Sequence, residues 1–165
     1  MFLSQHAVAG SAVAVATGNP ILGFFAALAS HQLLDDLPHI DGVIVKNQDN
    51  KYVYEKSSKW SENLFFLAYI DVIITALIIG TILVLTDNKL LVLSGAAGGV
   101  LTDFLDLVPW WKDRFRATWI GRRWHRIHQF GHYHLQETTG IGLISILTFQ
   151  WLITIGGIWV LLLSY

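Results

Sequence analysis

Long apolar stretches separated by short polar segments dominate the chain. Three of them, at about 63–86, 90–110 and 141–163, reach the roughly 20 residues that a helix needs to cross a hydrocarbon core. A polar turn around Asp87 divides the first from the second. The pattern therefore predicts three transmembrane helices.

A shorter apolar pattern precedes these helices. Residues 6–17 are small and apolar but too few to span a membrane. Asn19 is a favourable N-cap and Pro20 suits the first position of a second helix, which Pro38 ends. The segment at about 6–37 thus predicts a re-entrant helical hairpin, tolerated in a membrane where protein covers it.

Two polar segments connect the apolar ones. Residues 41–60 form a lysine-containing loop whose alternating pattern predicts a short β-hairpin around Asp49–Asn50. Residues 112–137 are rich in arginine, histidine and aromatic residues, and a helix from Trp124 to His132 would be amphipathic. By the positive-inside rule both segments are cytoplasmic.

The composition agrees with a membrane protein. Hydrophobic residues make up 53% of the 165 residues and charged residues only 14%. The fold class predicted is all-α, a multi-pass helical protein with one integral membrane domain over 1–165. Membrane lipids are its expected partners. The net charge of −1 gives no argument for a nucleic-acid partner.

The residues that could bind a metal lie at one end of the predicted helices. The chain has no cysteine, so histidine and carboxylate side chains are the available ligands for a transition metal. An aspartate inside a membrane helix is costly unless it is paired, hydrated or metal-bound. The topology places the candidate ligands on the cytoplasmic side: His6, His31, Asp35, His39, Asp103, Asp106, His125, His128 and His132.

Spacing within the helices supports a shared site. His31 and Asp35 are four residues apart and therefore lie on one helix face. Asp103 and Asp106 are three residues apart. His125, His128 and His132 follow one another at intervals of three and four residues, which also places them on one helix face. Carboxylates beside imidazoles suit a divalent metal. Zinc is the ion we expect first, and manganese or iron would also fit.

Structural alternatives exist for the same residues. His31 and Asp35 could form a buried hydrogen-bonded pair, and the later histidines could belong to an interfacial helix that touches lipid headgroups. Asp71, in the middle of a span, is expected to pair with a neighbouring helix, or else to line an ion pathway. The glycines at 95–99 predict a close helix-packing face.

The motifs resemble those of a known family. Ser30-His31-x-x-x-Asp35, with His6 before it and Asp103-x-x-Asp106 and His125-x-x-His128 after it, is similar to motifs of the bacterial inner-membrane metal-dependent hydrolases. More distantly, the chain resembles the zinc-dependent phospholipases C. The resemblance covers only the ligand-bearing segments, and the order of the motifs is rotated relative to that family.

The resemblance implies a function. A divalent metal would activate water for attack on the phosphoester of a lipid or lipid-linked substrate at the cytoplasmic face of the inner membrane. It also implies catalytic roles for Asp103, Asp106 and His128.

Three other functions compete with the hydrolase. The histidine cluster at 124–134 also resembles the histidine boxes of membrane diiron hydroxylases and desaturases, although those enzymes usually carry more histidines. Histidines on facing helices could instead ligate haem. A non-catalytic membrane module held by His–Asp pairs is the third alternative.

Overall fold

A computed structural model describes residues 1–40, 44–54, 62–130 and 137–164. Within these ranges the chain is mainly helical, which confirms the all-α class. The elements are α1 (Leu3–Thr17), α2 (Pro20–Asp35), β1 (Ile44–Lys46), β2 (Tyr52–Tyr54), α3 (Glu62–Leu85), α4 (Lys89–Leu107), α5 (Lys112–Ala117), α6 (Trp119–Phe130) and α7 (Gly140–Leu163).

Three of these helices are long and apolar enough to cross a membrane: Phe65–Leu85 within α3, and the whole of α4 and α7. Within the described residues, these three candidate spans match the three predicted apolar stretches and indicate a membrane protein. α4 ends at Leu107, about three residues before the predicted boundary. Pro109 follows, and a proline disfavours helical geometry at the residue before it, so Val108 is extended.

The predicted N-terminal hairpin is present as α1 and α2. The Asn19 side chain accepts hydrogen bonds from the backbone N–H groups of Ile21 and Leu22, with Pro20 at the start of α2, as the sequence predicts. The two helices have 15 and 16 residues, about 22 and 24 Å of rise, which is less than a hydrocarbon core of about 30 Å.

α1 begins at Leu3, earlier than predicted, because a carboxylate from another helix caps it. The side chain of Asp71 in α3 accepts hydrogen bonds from the backbone N–H groups of Leu3 and Ser4. These N–H groups have no partner within the helix, and the positive end of the helix dipole favours an anion there. The expected pairing of Asp71 with a neighbouring helix is confirmed.

α1 lies at the centre of the bundle, in contact with α2, α3, α4 and α7. Its closest neighbour is α4, and glycines allow the approach. A Cβ atom on Gly95 would collide with the carbonyl oxygen of Gly10, and one on Gly99 with that of His6. The predicted packing face at 95–99 is therefore confirmed, and side chains there would push the helices apart.

The polar loop and α7 are tied to the bundle by hydrogen bonds. β1 and β2 pair antiparallel, which confirms the predicted hairpin around Asp49–Asn50. The buried amide of Gln150 in α7 bonds both backbone groups of Ile40 and the side chain of Gln5. The rest of the loop, 41–43 and 55–61, lies outside the described residues.

The arginine- and histidine-rich segment forms two helices within its described part. α5 and α6 are separated at Thr118, which is extended and whose hydroxyl accepts a hydrogen bond from Gly121. The end of the predicted amphipathic helix at His132 falls on 131–136, outside the described residues.

The glycine contact leads to a stability prediction. Gly99→Ala should destabilise the protein by roughly 1–3 kcal/mol, because the added methyl group meets the backbone carbonyl of His6. Thermal unfolding in detergent micelles, followed by circular dichroism, measures the change.

Gly80→Ala is the matched control. Gly80 is also in a helix interior, but nothing lies within 4 Å of an added Cβ. Because alanine is the better helix former, this variant should be as stable as the parent or slightly more so. Equal melting temperatures for the two variants would contradict the close contact of α1 and α4.

Candidate metal centre

The first half of the site comes from one face of α2. The buried residues of this helix are Gly23, Ala27, His31 and Asp35, each four residues after the last. The first two pack tightly against α1 and α4, and the last two carry the functional groups. His31 Nε2 lies 3.1 Å from Asp35 Oδ2, which places both side chains where the helical spacing predicts.

The second half comes from α4 and α6. Asp103 Oδ1 lies 3.6 Å from His31 Nε2 and 3.9 Å from His128 Nε2, and His128 Nε2 is 3.4 Å from Asp35 Oδ2. The ligand atoms of His31, Asp35, Asp103 and His128 all lie within 4.8 Å of one another. This group could hold a metal ion.

Hydrogen bonds on the outer side of the two rings orient them. The Nδ1 atom of His31 is 2.7 Å from the carbonyl oxygen of Gly99, and that of His128 is 2.9 Å from Asp106 Oδ2. A carbonyl oxygen can only accept, so His31 Nδ1 carries the proton. Metal-binding histidines are typically held in this way, by a carbonyl or carboxylate behind the ring.

The inner nitrogen of His31, Nε2, faces negatively charged carboxylates, and a bound cation would remove the resulting repulsion. With its proton on Nδ1, a neutral His31 points the Nε2 lone pair at the carboxylates of Asp35 and Asp103. This nitrogen is buried and has no hydrogen-bond partner among the described residues. Lone pairs that face each other repel, and the repulsion is removed only by a proton or a metal ion between them.

His128 shows how strongly the site attracts positive charge. Burial by itself lowers the pKa of this histidine, but its hydrogen bonds to Asp106 and Asp35 outweigh that effect and raise the pKa to about 9. At neutral pH and without a metal ion, this raised pKa favours the imidazolium form of His128.

Two further predicted residues lie on the other side of Asp35. His6 Nε2 is 3.1 Å and His39 Nε2 is 3.9 Å from Oδ1, and the backbone nitrogen of Met1 is 2.8 Å from the same oxygen. The ring of His6 also stacks on His31, with centroids 3.9 Å apart. His6 and His39 thus surround the four-residue group without belonging to it.

Asp106 lies behind His128 and does not face the centre of the group. Its carboxylate accepts hydrogen bonds from Nδ1 of both His125 and His128, and from Nε of Arg116. Arg116 also bonds the backbone carbonyl of Asp106. The geometry makes Asp106 a residue that positions His128, and His125 is connected to the site through its hydrogen bond to Asp106. His132 lies outside the described residues.

Sequence reasoning missed three contacts of the site, made by the backbone nitrogen of Met1, the Gly99 carbonyl and Arg116. The Gly99 carbonyl is a backbone group, which no residue pattern can single out. Arg116 follows Asp106 by ten residues across the turn between α4 and α5, so no helical periodicity connects them.

Comparison with known proteins identifies no relative. No protein-family model, no curated protein and no solved structure matches this chain.

The arrangement predicts how His128 titrates in metal-free protein. Burial lowers the pKa of His128, and two carboxylates raise it. Asp106→Asn removes one of them, so the pKa should fall from about 9 by roughly 1–3 units. Histidine side-chain NMR in chelator-treated micelles measures this titration.

Asp113→Asn is the matched control, because it makes the same change of charge on an exposed carboxylate of α5. It should leave the pKa of His128 unchanged. A His128 titration that does not move in Asp106→Asn would show that the carboxylate does not hold this ring.

Proposed function

We propose that the chain binds a divalent metal ion at the group formed by His31, Asp35, Asp103 and His128, with Asp103 beside an open coordination position, and hydrolyses a phosphoester of a lipid or lipid-linked substrate. The observation that carries the proposal is the convergence of four ligand atoms within 4.8 Å, with the His31 and His128 rings held from behind. The donor set of two imidazoles and two carboxylates suits zinc, and manganese or iron would also fit.

The four side chains differ in exposure, which supports a division of roles. His31, Asp35 and His128 are at most 1% exposed, whereas the Asp103 side chain is 13% exposed. A catalytic zinc site commonly has three protein ligands and one open position. His31, Asp35 and His128 would be the permanent ligands, and Asp103 would face the open position.

Each residue would then have a defined part in hydrolysis. A metal held here would lower the pKa of water and polarise a phosphoryl oxygen. Asp103, beside the open position, would accept the proton of the attacking water. Asp106 would keep His128 in the tautomer and orientation that present Nε2 to the centre.

The position of the site favours a lipid substrate. Asp103 and Asp106 lie in the last two turns of α4, which is one of the candidate spans. The end of a span lies at the level of the headgroups, where the phosphoester of a lipid is found. We place this face in the cytoplasmic membrane, on its cytoplasmic side, because the basic segments flank it.

A structural His–Asp network is the second candidate. The raised pKa of His128 favours it, because a proton can supply the positive charge that the buried carboxylates require. Metal content separates the two candidates directly.

The first test measures metal in protein purified without chelators. Elemental analysis should find about one equivalent of zinc, manganese or iron, retained on dialysis, and His31→Ala and Asp35→Asn should each lose it. His125→Ala should retain the ion with weaker affinity, because the His125 ring is hydrogen-bonded to Asp106 and is not one of the four grouped residues. Protein that neither carries nor rebinds a metal would establish the structural network.

The same measurements separate the two remaining alternatives. Haem would be identified by its Soret band, and two equivalents of iron without that band would favour the diiron oxygenase.

The second test measures hydrolysis. Protein in phospholipid vesicles should release a phosphate-containing product, lose the activity with EDTA and regain it with zinc. Asp103→Asn should bind the metal but reduce kcat about 100-fold or more, as the loss of a general base does. Metal-loaded protein without phosphoesterase activity on phospholipids would exclude this substrate class while leaving the metal site intact.

A further inference from the structure

Helix α6 has its apolar side turned away from the protein. Its two buried residues are Gly121, which packs against α5, and His128, which faces the candidate metal centre. Among its exposed residues, Ile120 and Ile127 are 62% and 65% exposed and Phe130 is 93% exposed, with arginines beside them. A surface helix of a soluble protein has the opposite arrangement, so this outer face needs an apolar partner.

The position of α6 identifies that partner as the bilayer. Nδ1 of both His125 and His128 is hydrogen-bonded to Asp106, which lies in the last turn of α4. These bonds hold α6 at the level where a candidate span ends. A helix with an apolar outer face at that level lies in the membrane interface, with its apolar side chains among the upper parts of the acyl chains.

Positive charge lies beside the apolar face. Residues 112–130 carry six lysines and arginines and a single acidic residue, Asp113. A shallow, open depression on α6 beside Arg116 of α5, which we call the headgroup groove, is lined by Arg116, Arg122, His125, Arg126, Gln129 and Phe130. No carboxylate is among these lining residues.

Arg116 of the headgroup groove is bonded to Asp106, but the other two arginines, Arg122 and Arg126, have N–H groups available for a ligand. Arg122 donates to the backbone carbonyl of Ala117, and Arg126 has no hydrogen-bond or ion-pair partner in the part of the chain that the structure describes. They are four residues apart and therefore lie on the same side of α6. A guanidinium presents parallel N–H groups that match the oxygens of a phosphate.

We propose that the headgroup groove binds the phosphate of an anionic phospholipid whose acyl chains cover the outer face of α6. The proposal does not require hydrolysis, because the two residues that carry it, Arg122 and Arg126, do not belong to the candidate metal centre; Arg116 and His125 connect the groove to that centre through Asp106. A nucleic acid would satisfy the arginines but leave Ile127 and Phe130 facing a polar surface, which is why the lipid is the better match.

Lipid selectivity tests the proposal. The full chain is reconstituted in phosphatidylcholine vesicles that contain a minor fraction of phosphatidylglycerol, and spin-labelled lipids of both kinds report which headgroup is enriched around the protein. We expect phosphatidylglycerol to be enriched, and Arg122→Gln/Arg126→Gln to reduce the enrichment at least about fivefold.

Arg114→Gln/Arg123→Gln is the matched control. It removes the same two charges from the same segment, but neither residue lines the groove, so most of the selectivity should remain. An equal loss of enrichment in the two double variants would show that only the overall charge attracts the lipid. It would overturn the proposal that the groove binds the phosphate. Absence of enrichment in the parent protein would also overturn it.

The depth of α6 is tested independently. The chain has no cysteine, so Phe130→Cys creates a unique position for a nitroxide spin label. In vesicles this label should be accessible to oxygen and shielded from a water-soluble nickel reagent, whereas a label at Asp113→Cys on α5 should show the reverse. A label at position 130 that is fully exposed to the nickel reagent would place α6 in water and overturn the proposal.

Discussion

The carboxylate of Asp35 is buried where α1, α2, α4 and α6 meet, and the surrounding groups are arranged around its charge. One oxygen faces His6, His39 and the backbone nitrogen of Met1, and the other faces His31 and His128. A buried carboxylate without compensating charge would cost several kcal/mol. The histidines of four segments therefore converge on Asp35, and the same convergence creates the group of ligand atoms.

Convergence on one carboxylate requires helices that approach closely, and the small residues of α1 and α4 provide this. Gly10 and Gly95 allow backbone contact, and Gly99 contributes both a close approach to His6 and the carbonyl that orients His31. The fold and the site thus depend on the same contact. A side chain at Gly99 would change the packing of the hairpin and the position of the His31 ring together.

Local sequence patterns predicted those parts of the structure that lie within one helix. Asn19 and Pro20 marked the start of α2, and the four-residue spacing of His31 and Asp35 placed them on one face. The spacing of Asp103 and Asp106 was equally regular, but the structure gives them different surroundings. Asp103 faces the centre, whereas Asp106 is turned behind His128.

The remaining features depend on tertiary packing and could not be read from spacing. The early start of α1 is set by Asp71, which is 68 residues away from Leu3 in sequence. The break at Thr118 depends on a side-chain cap, and the contact of Arg116 with Asp106 depends on how the chain turns after Pro109.

The shortness of the hairpin also determines the order in which the protein can assemble. A helix of 15 residues is too short to be held across a bilayer by its own hydrophobicity, whereas α3, α4 and α7 can each insert as independent helices. α1 and α2 therefore depend on packing against the longer helices for a stable position. His6, His31 and Asp35 meet Asp103 only when the hairpin is packed against α4, so the centre cannot form in the hairpin alone.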